Sequence, residues 1–247
     1  ACARDLLLGQ ELLDVLGRAA AEERRDVGRP VRLLLALHDL DEDFCARILG
    51  PPWTSNRRRV LMDSRIGTTT KLVDWMARRS RRPSVLVSAS AVGYYGVRGE
   101  ERVDESAAPQ PIFQSEICRL WEAAAMRCTA LGVRCVLPRF GVVLGRDGGA
   151  LPAFVRPARL GLAAVMGSGR QGFPWIHIED AVGLIQWAID HDIQGPVNAV
   201  APGLVSQREF QRTLCEVLRR KLWLRVPARP VRMALGEMAQ LLLDGQY

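Results

Sequence analysis

The sequence predicts an α/β protein in which helices cover both faces of a parallel sheet. Two observations predict this class. Short apolar runs rich in β-branched residues, such as SVLVSAS at 84–90, alternate with amphipathic helical patterns along most of the chain. A helix between two such strands carries the chain back to the starting edge of the sheet, so consecutive strands run parallel.

In the first half of the chain we predict a helix over residues 4–25 and a buried strand over residues 31–37. A long helix is predicted from Thr54 until Pro83 stops it. Its apolar face is marked by residues at spacings of four and three, namely Met62, Ile66, Thr69, Val73 and Met76. The run at 84–90 then reads as a central strand whose carboxyl end opens into a loop.

The second half continues the alternation. We predict a helix whose apolar face carries Ile117, Leu120, Ala124, Cys128 and Leu131, with Gly132 as its C-cap. A buried strand at 133–137 follows, and later a short strand at 175–178 leads into a helix with Ile178, Val182, Ile185 and Ile189 in register. Ser206 and Glu209 form a capping box that opens a last helix with Phe210, Leu214 and Val217 on its apolar face.

Length and composition exclude several classes of protein. The 247 residues accommodate one large domain, or one domain with a smaller lobe, at roughly 150 residues per domain. With 48% apolar and 25% charged residues the chain is not disordered. No apolar run approaches the ~18 residues of a membrane span, so we expect no membrane partner. Six cysteines without metal-ligand spacing and three histidines predict no metal site and a reducing, cytoplasmic location.

Basic charge is concentrated in one segment. The formal net charge is +7, and residues 51–82 contain nine basic residues against two acidic ones. All but two of the 34 basic residues are arginine, which indicates codon composition rather than phosphate recognition. We interpret the segment as a solvated helix face, and a nucleic-acid interface is the alternative that we do not favour.

Candidate functional residues follow the predicted strands, because ligands of parallel sheets bind beyond the carboxyl ends of the strands. Ser88, Ser90, Tyr94 and Tyr95 follow the first central strand, and Arg139 and Gly141 end the second. Serine and tyrosine hydroxyls can hydrogen-bond a reacting oxygen, and glycine admits close approach of a ligand. A tight turn with packed tyrosines is the alternative. For Arg139 we weigh an anionic ligand against pairing with Glu122, whose default interpretation is a surface ion pair.

These residues carry a resemblance to a known family. VLVSASAVGYYG at 85–96, WEAAA at 121–125, RFGVVLGRDGGA at 139–150 and PWIHIED at 174–180 resemble extended short-chain dehydrogenase/reductases, in particular the atypical "epimerase family protein" subgroup. The resemblance covers about residues 46–246. It implies a Rossmann-type sheet with a C-terminal substrate lobe, and NAD or NADP as cofactor.

The resemblance also implies a division of the chain and roles for its residues. Residues 1–45 form an atypical N-terminal segment, 46–150 a nucleotide-binding core, and 151–247 a substrate lobe with a return strand and helix near 174–191, which the family continues past residue 247. Catalytic roles are predicted for Ser90, Tyr95 and Ser88, cofactor binding for Ser88, Ala89, Arg139 and Gly141, and substrate binding for Tyr94, Arg170 and His177.

Three departures from the superfamily pattern accompany the resemblance. Residues 1–45 hold only three widely spaced glycines, so the glycine-rich strand–turn–helix that grips a pyrophosphate is not recognisable there. The literal GxGxxG at 167–172 precedes an extended segment instead of a helix, and we interpret it as a loop facing the substrate lobe. The Tyr-x-x-x-Lys pair is replaced by Phe113 and Ile117, and the subgroup that the chain resembles also lacks this pair.

Three functions compete on this basis. The leading hypothesis is an NAD(P)-associated oxidoreductase or epimerase-like enzyme acting on a small molecule or nucleotide sugar. A non-catalytic remnant or ligand-binding scaffold of the same fold is the main alternative, and nucleic-acid binding is the third. The sequence predicts no oligomeric state. Because the usual N-terminal unit is not recognisable, we also expect an unpaired, aggregation-prone sheet edge unless residues 31–37 take its place.

Overall fold

The computed structural model describes residues 33–34, 53–146 and 149–245, and a parallel sheet lies at its centre. Along the chain, the helices and strands are β1 (Leu33–Leu34), α1 (Ser55–Met62), α2 (Thr68–Ala77), β2 (Val85–Val87), β3 (Ser90–Ala91), α3 (Phe113–Met126), β4 (Arg134–Phe140), β5 (Val142–Leu144), α4 (Leu151–Arg159), β6 (Ala164–Met166), β7 (Trp175–His177), α5 (Ile178–Asp190), β8 (Gly195–Ala199), α6 (Gln207–Val217), β9 (Leu224–Val226), α7 (Ala228–Leu235) and α8 (Gln240–Leu243). The predicted alternation of strands and helices is confirmed. The helix predicted at 4–25 lies outside the described residues.

Strand β4 lies inside the central sheet and pairs in parallel with β2, β3 and β8. β2 and then β3 run along one side of β4, and β8 runs along the other. β1 pairs with the far side of β2, placing Leu33 opposite Leu86 and Leu34 opposite Val87. The strand predicted at 31–37 therefore enters the sheet at Leu33–Leu34, and its other residues lie outside the described part of the chain.

Helices cover both faces of this sheet, as predicted. On one face, Leu86 belongs to a buried apolar cluster that includes residues of α2 and α3. The other members of this cluster include Val73, Met76, Ala125, Cys128 and Cys135. On the other face, the neighbouring strand residues pack against α5 in a cluster that includes Val85, Val87, Val136, Ile185 and Ala188. Alternate residues of a strand point to opposite faces, which explains why Leu86 and its two neighbours enter different clusters.

The long helix predicted from Thr54 differs from the structure in one respect. Thr54 is its N-cap, but a π-helical turn over Asp63–Gly67 separates α1 from α2, and the helix ends at Ala77. A π turn adds one residue to the helical repeat, which shifts the buried face. Leu61 and Arg65 are therefore the fully buried residues here, while Met62 and Ile66, which the regular spacing predicted, are partly buried and pack against apolar clusters.

Later elements follow their local signals closely. Gly132 adopts the left-handed conformation at the end of the helical segment, and the capping box of Ser206 and Glu209 opens α6. β7 leads directly into α5, as predicted for 174–191. Val217 is exposed, so its predicted place on an apolar face is wrong.

Two smaller parallel sheets complete the described chain. β5 pairs with β7, and β6 pairs with β9. In the same part of the chain the aromatic rings of Phe154, Phe173 and Phe210 contact one another, with centroids 4.2–5.6 Å apart. After β7 the chain returns to the central sheet, because α5 packs on one face of it and β8 pairs with β4. The following helix, α6, packs outside the central sheet.

Candidate functional site

A row of polar side chains crosses the carboxyl end of the central sheet. The register places Arg139 of β4 between Ser90 of β3 on one side and Asn198 of β8 on the other. Residues opposite each other in a parallel sheet point to the same face. Three polar groups from distant parts of the sequence therefore lie side by side, and we call Ser90, Arg139 and Asn198 the polar row.

Glu122 of α3 accepts hydrogen bonds from two residues of the polar row, Ser90 and Arg139. Its Oε1 accepts hydrogen bonds from Ser90 Oγ at 2.6 Å and Arg139 Nε at 2.8 Å, and its Oε2 accepts from Arg139 Nη2 at 2.8 Å. Glu122 is 7% exposed and Arg139 is 2% exposed. The predicted pairing of Arg139 with Glu122 is present, but the surface location expected for Glu122 is wrong, because the pair is buried.

Tyr95 is hydrogen-bonded to Arg139 and to Asn198, the remaining residue of the polar row. Its hydroxyl accepts a hydrogen bond from Arg139 Nη1 at 3.0 Å and donates to Asn198 Oδ1 at 2.6 Å. Burial raises the pKa of Tyr95 above its ordinary value of 10, while the Arg139 guanidinium acts in the opposite direction. The hydroxyl is therefore protonated at neutral pH, beside a cation that stabilises its phenolate form.

Tyr94 and Glu105 complete the surroundings of Arg139. The guanidinium carbon lies 3.5 Å from the centroid of the half-buried Tyr94 ring. The Glu105 carbonyl oxygen accepts from Arg139 Nη1 at 3.2 Å, and its carboxylate accepts from the Asn198 backbone N–H at 2.7 Å. Burial lowers the pKa of Arg139, but the hydrogen bonds to Glu122 and Tyr95 raise it by more, so the net shift is upward. This side chain is therefore a permanent cation.

The remaining predicted strand-end residues are placed differently. Ser88 is buried, and its Oγ has no hydrogen-bond partner among the described residues. Ala89 is buried in the apolar cluster beside α5. Gly141 lies against the backbone of β7, since a Cβ added to it would lie 2.6 Å from the Pro174 carbonyl oxygen. The close approach that requires glycine here is made by the protein's own chain.

Arg170 and His177 take no part in the hydrogen bonds of the polar row. Arg170 is exposed and forms an ion pair with Glu100, Nη2 to Oε1 at 2.6 Å, at the edge of a cavity of about 390 Å³. That cavity is lined by Gly99, Glu100, Ser168, Arg170, Gln171 and residues 243–245. His177 is the N-cap of α5, where its Nδ1 accepts from the Glu179 backbone N–H at 3.3 Å.

The three departures noted in the sequence fall at structurally distinct places. The GxGxxG at 167–172 lies between β6 and β7 and enters no helix, in agreement with its interpretation as a loop. Phe113 packs edge-on against Trp53 with centroids 5.0 Å apart, and Ile117 is buried in the same apolar cluster. Residues 1–45 are described only at Leu33–Leu34.

The basic residues of 51–82 do not form one continuous exposed face. Arg65 is buried, and its guanidinium lies 5.8 Å from the centroid of the Trp121 ring. Arg58 forms an ion pair with Glu237, and Arg79 lies over the ring of Trp75. Some of these basic side chains are therefore buried, some contact an acidic or aromatic side chain, and others are exposed to solvent.

Sequence analysis missed Asn198 and the role of Glu105. Glu105 lies in the DES segment at 104–106, which belongs to the family resemblance but indicates no partner. Asn198 has no such signal, since it meets Arg139 through the pairing of β8 with β4. Within the described residues no three His, Cys, Asp or Glu side chains are grouped as a metal site. None of the described helices is long and apolar enough to cross a bilayer.

Comparison with protein families and curated proteins gives consistent matches. The profile of the NAD dependent epimerase/dehydratase family matches residues 43–200. The chain is 37% identical over 196 residues to epimerase family protein YfhF of Bacillus subtilis, covering 78% of this chain and 64% of that protein. It is 39% identical over 197 residues to the chloroplastic SDR39U1 homologue of Arabidopsis thaliana, covering 78% of this chain and 56% of that protein. The chain thus spans less than two thirds of the length of these relatives.

Solved structures show the same likeness in three dimensions. Human epimerase family protein SDR39U1 (isoform 2), crystallised with NADPH, matches 91% of this chain and 76% of its own, with a TM-score of 0.76 and 31% identity. A nucleoside-diphosphate sugar epimerase from Corynebacterium glutamicum matches 79% of this chain and 45% of its own, with a TM-score of 0.61 and 29% identity. The Rossmann-type fold implied by the sequence motifs is therefore confirmed.

Proposed function

The chain belongs to the NAD dependent epimerase/dehydratase family, and from that premise we propose that it binds NAD or NADP at the carboxyl edge of its central sheet. We further propose that it acts there as an oxidoreductase or epimerase-like enzyme on a small molecule or nucleotide sugar. The observation that carries this proposal is the likeness to the NADPH-bound human protein, which extends over 91% of this chain. The substrate class rests on the Corynebacterium likeness.

One observation of this structure fits such a ligand. Ser88 lies just beyond the last residue of β2, and its buried Oγ has no hydrogen-bond partner among the described residues. An unsatisfied buried hydroxyl costs roughly 1–3 kcal/mol, which a bound polar group offsets. Ser88 and the backbone of Ala89 would contact the cofactor. When bound, the nicotinamide ring supplies or accepts a hydride.

We assign the proton transfer to Tyr95. Its pKa is raised by burial, so the hydroxyl carries its proton at neutral pH. That proton is donated to Asn198 Oδ1, a neutral acceptor, and transfer to a substrate would replace this hydrogen bond. Arg139 Nη1 lies 3.0 Å from the oxygen and would stabilise the phenolate left after proton donation. In the superfamily a lysine lowers the pKa of the catalytic tyrosine, and in this chain Arg139 is the cation in contact with a tyrosine hydroxyl. Tyr94, with its half-buried ring, and Arg170 and His177 at the exposed surface, would contact the substrate.

Ser90 and Arg139 serve as positioning residues in this proposal. Ser90 donates its proton to Glu122, and the Arg139 guanidinium is engaged by Glu122, Tyr95 and Glu105. The single O–H of Ser90 and four of the five N–H groups of Arg139 are therefore already engaged inside this network. Their effect is to hold the Tyr95 hydroxyl at a fixed place at the strand ends.

Titration of the folded protein with NADPH and NADH, followed by cofactor fluorescence, tests the binding. We expect a saturable signal, and we expect Ser88→Ala to weaken it by roughly 10-fold, the equivalent of one hydrogen bond. Ser106→Ala, which alters a serine whose partner is Asp104, is the matched control. No saturable signal up to about 1 mM cofactor, with circular dichroism showing a folded chain, would reject the proposal.

A ligand-binding scaffold without catalysis is the second candidate. The closed hydrogen-bond network around Arg139 and the apolar packing of Phe113 and Ile117 favour it. This candidate predicts cofactor binding with no hydride transfer to any carbonyl or nucleotide-sugar substrate. Turnover that depends on Tyr95 would eliminate it.

A further inference from the structure

An exposed apolar surface lies on the C-terminal part of the chain, on residues that take no part in the polar row. Leu160 and Leu162, in the turn after α4, are 77% and 53% exposed, and Trp223, just before β9, is 69% exposed. The Trp223 indole N–H donates to the Gly161 carbonyl oxygen at 3.1 Å, which joins the two segments. We call Leu160, Leu162 and Trp223 the apolar patch.

Cationic side chains surround the apolar patch. The two segments that carry it, residues 156–162 and 218–225, contain six basic residues and no acidic one. All six are exposed, namely Arg156, Arg159, Arg219, Arg220, Lys221 and Arg225. We call them the cationic rim. Glu216, the acidic residue just before the second segment, faces Arg212 at 3.9 Å.

Helix and strand geometry place the rim beside the patch. Arg156, Arg159 and Leu160 have the three- and four-residue spacing of one face of α4, and all are exposed. Around β9, exposed and half-buried residues alternate, so Trp223 and Arg225 share the outward face. The pairing of Ala164 with Leu224 keeps the two segments adjacent.

Arg219 adds a cation at a position that favours glycine. It follows α6 with a φ of 54°, in the left-handed region, where a side chain at Cβ is disfavoured. A helix commonly ends on glycine at this point. Arginine at this position adds a positive charge to the cationic rim, whereas glycine would adopt the same backbone conformation without strain.

We propose that the apolar patch and the cationic rim dock this protein on an anionic lipid surface. Tryptophan and leucine side chains are suited to the boundary between headgroups and acyl chains, and exposed arginine and lysine bind anionic headgroups. The proposed attachment is peripheral, since the apolar patch consists of exposed side chains of a turn and of the residue before a strand. It departs from the expectation of no membrane partner, which rested on the lack of an apolar run long enough to span a bilayer. A symmetric dimer through this face is disfavoured, because it would bring two cationic rims together.

Co-sedimentation with vesicles tests this proposal. We expect the chain to bind vesicles of phosphatidylcholine containing phosphatidylglycerol and not vesicles of phosphatidylcholine alone. Binding should weaken as salt rises, because ions screen the headgroup charge. Tryptophan emission should shift to shorter wavelength on binding, and Trp223→Phe should remove that shift.

Substitutions in the rim and the patch separate docking from general charge. The triple variant Arg219→Gln, Arg220→Gln, Lys221→Gln should lower vesicle partitioning about 100-fold, since each cation near an anionic leaflet contributes roughly a factor of five. Its control is Lys71→Gln, Arg78→Gln, Arg81→Gln, which removes the same charge from exposed positions outside the rim. Leu160→Ser with Leu162→Ser should weaken binding about tenfold or more, whereas Met233→Ser, at an 88% exposed residue outside the patch, should not.

Arg219→Gly guards against an effect of misfolding. It relaxes the backbone and removes one rim cation, so the thermal midpoint should rise while partitioning falls roughly fivefold. Two results would overturn the proposal. One is absence of vesicle binding, which together with capture by immobilised polyglutamate would identify an acidic protein as the partner. The other is equal losses in the rim and control triples.

Discussion

Arg139 and Glu122 form a two-pronged ion pair between β4 and α3, with Nε–Oε1 and Nη2–Oε2 distances of 2.8 Å. Both side chains are withdrawn from solvent. A buried pair of this kind contributes little net stability compared with apolar residues of the same volume, but removing one partner leaves an isolated charge in the interior. The pair therefore serves the polar row by holding Ser90 and Tyr95 in place.

Glu122→Gln should destabilise the fold strongly. The substitution leaves the Arg139 cation without its counter-charge, and the expected loss in the free energy of unfolding is about 3–5 kcal/mol. Urea denaturation followed by circular dichroism measures it. Glu116→Gln is the control, because Glu116 makes the same two-pronged contact with Arg119 at the surface. Equal losses in the two variants would show that burial of the pair has no energetic consequence.

Tyr95→Phe should separate binding from catalysis. It removes the proposed proton donor while the ring keeps its packing, so NADPH affinity should change little and the rate should fall at least about 100-fold. NADPH oxidation with phenanthrenequinone, an activated dicarbonyl, measures the rate of carbonyl reduction. With a panel of UDP-sugars, whose alcohols donate hydride, the rate is measured as reduction of the oxidised cofactor or as epimer formation. Tyr94→Phe is the matched variant and should alter KM more than kcat.

The pH profile provides an independent check on Tyr95. Because burial raises the pKa of Tyr95 above 10, the donor stays protonated through neutral pH, and the rate should fall only at more alkaline pH, as the proton is lost. Arg139→Gln removes the cation that lowers this pKa, so it should move the alkaline limb to higher pH and slow the reaction at neutral pH. An alkaline limb near neutrality would contradict the assignment.

Gly141→Ala should destabilise the junction of β4 and β5 with β7. The new Cβ would lie 2.6 Å from the Pro174 carbonyl oxygen, so backbone must shift, and the expected cost is about 1–3 kcal/mol. Gly183→Ala is the opposite case, since nothing lies within 4 Å of that Cβ and the residue is inside α5. It should stabilise by about 0.5–1 kcal/mol. Thermal unfolding of both variants compares the two signs.

Removal of residues 1–45 should promote aggregation. β1 at Leu33–Leu34 covers one edge of β2, and its loss exposes unpaired backbone groups of a central strand. Size-exclusion chromatography and thermal melts of the shortened chain measure the effect. A monodisperse protein with an unchanged cooperative melt would show that this pairing does not protect the sheet.

Local signals in the sequence predicted most of the helices and strands. The capping box at Ser206, the C-cap at Gly132 and the β-branched run that contains β2 depend on residues within a few positions of each other. The same kind of argument missed the burial of Leu61 and Arg65, because the π turn over Asp63–Gly67 changes the helical repeat without a recognisable signal. Met62 and Ile66 pack against apolar clusters, as predicted, but are only partly buried. Such an argument also failed for Val217, where the apolar spacing ends in solvent.

The sequence by itself determined the alternation of strands and helices, the family resemblance and the strand ends at which polar residues gather. The tertiary structure decided which of those residues meet. Arg139 lies between Ser90 and Asn198 only because β3 and β8 pair with opposite sides of β4. Helical periodicity and capping are interactions between near neighbours in the chain, whereas the burial of a charged group depends on partners that only folding brings within reach.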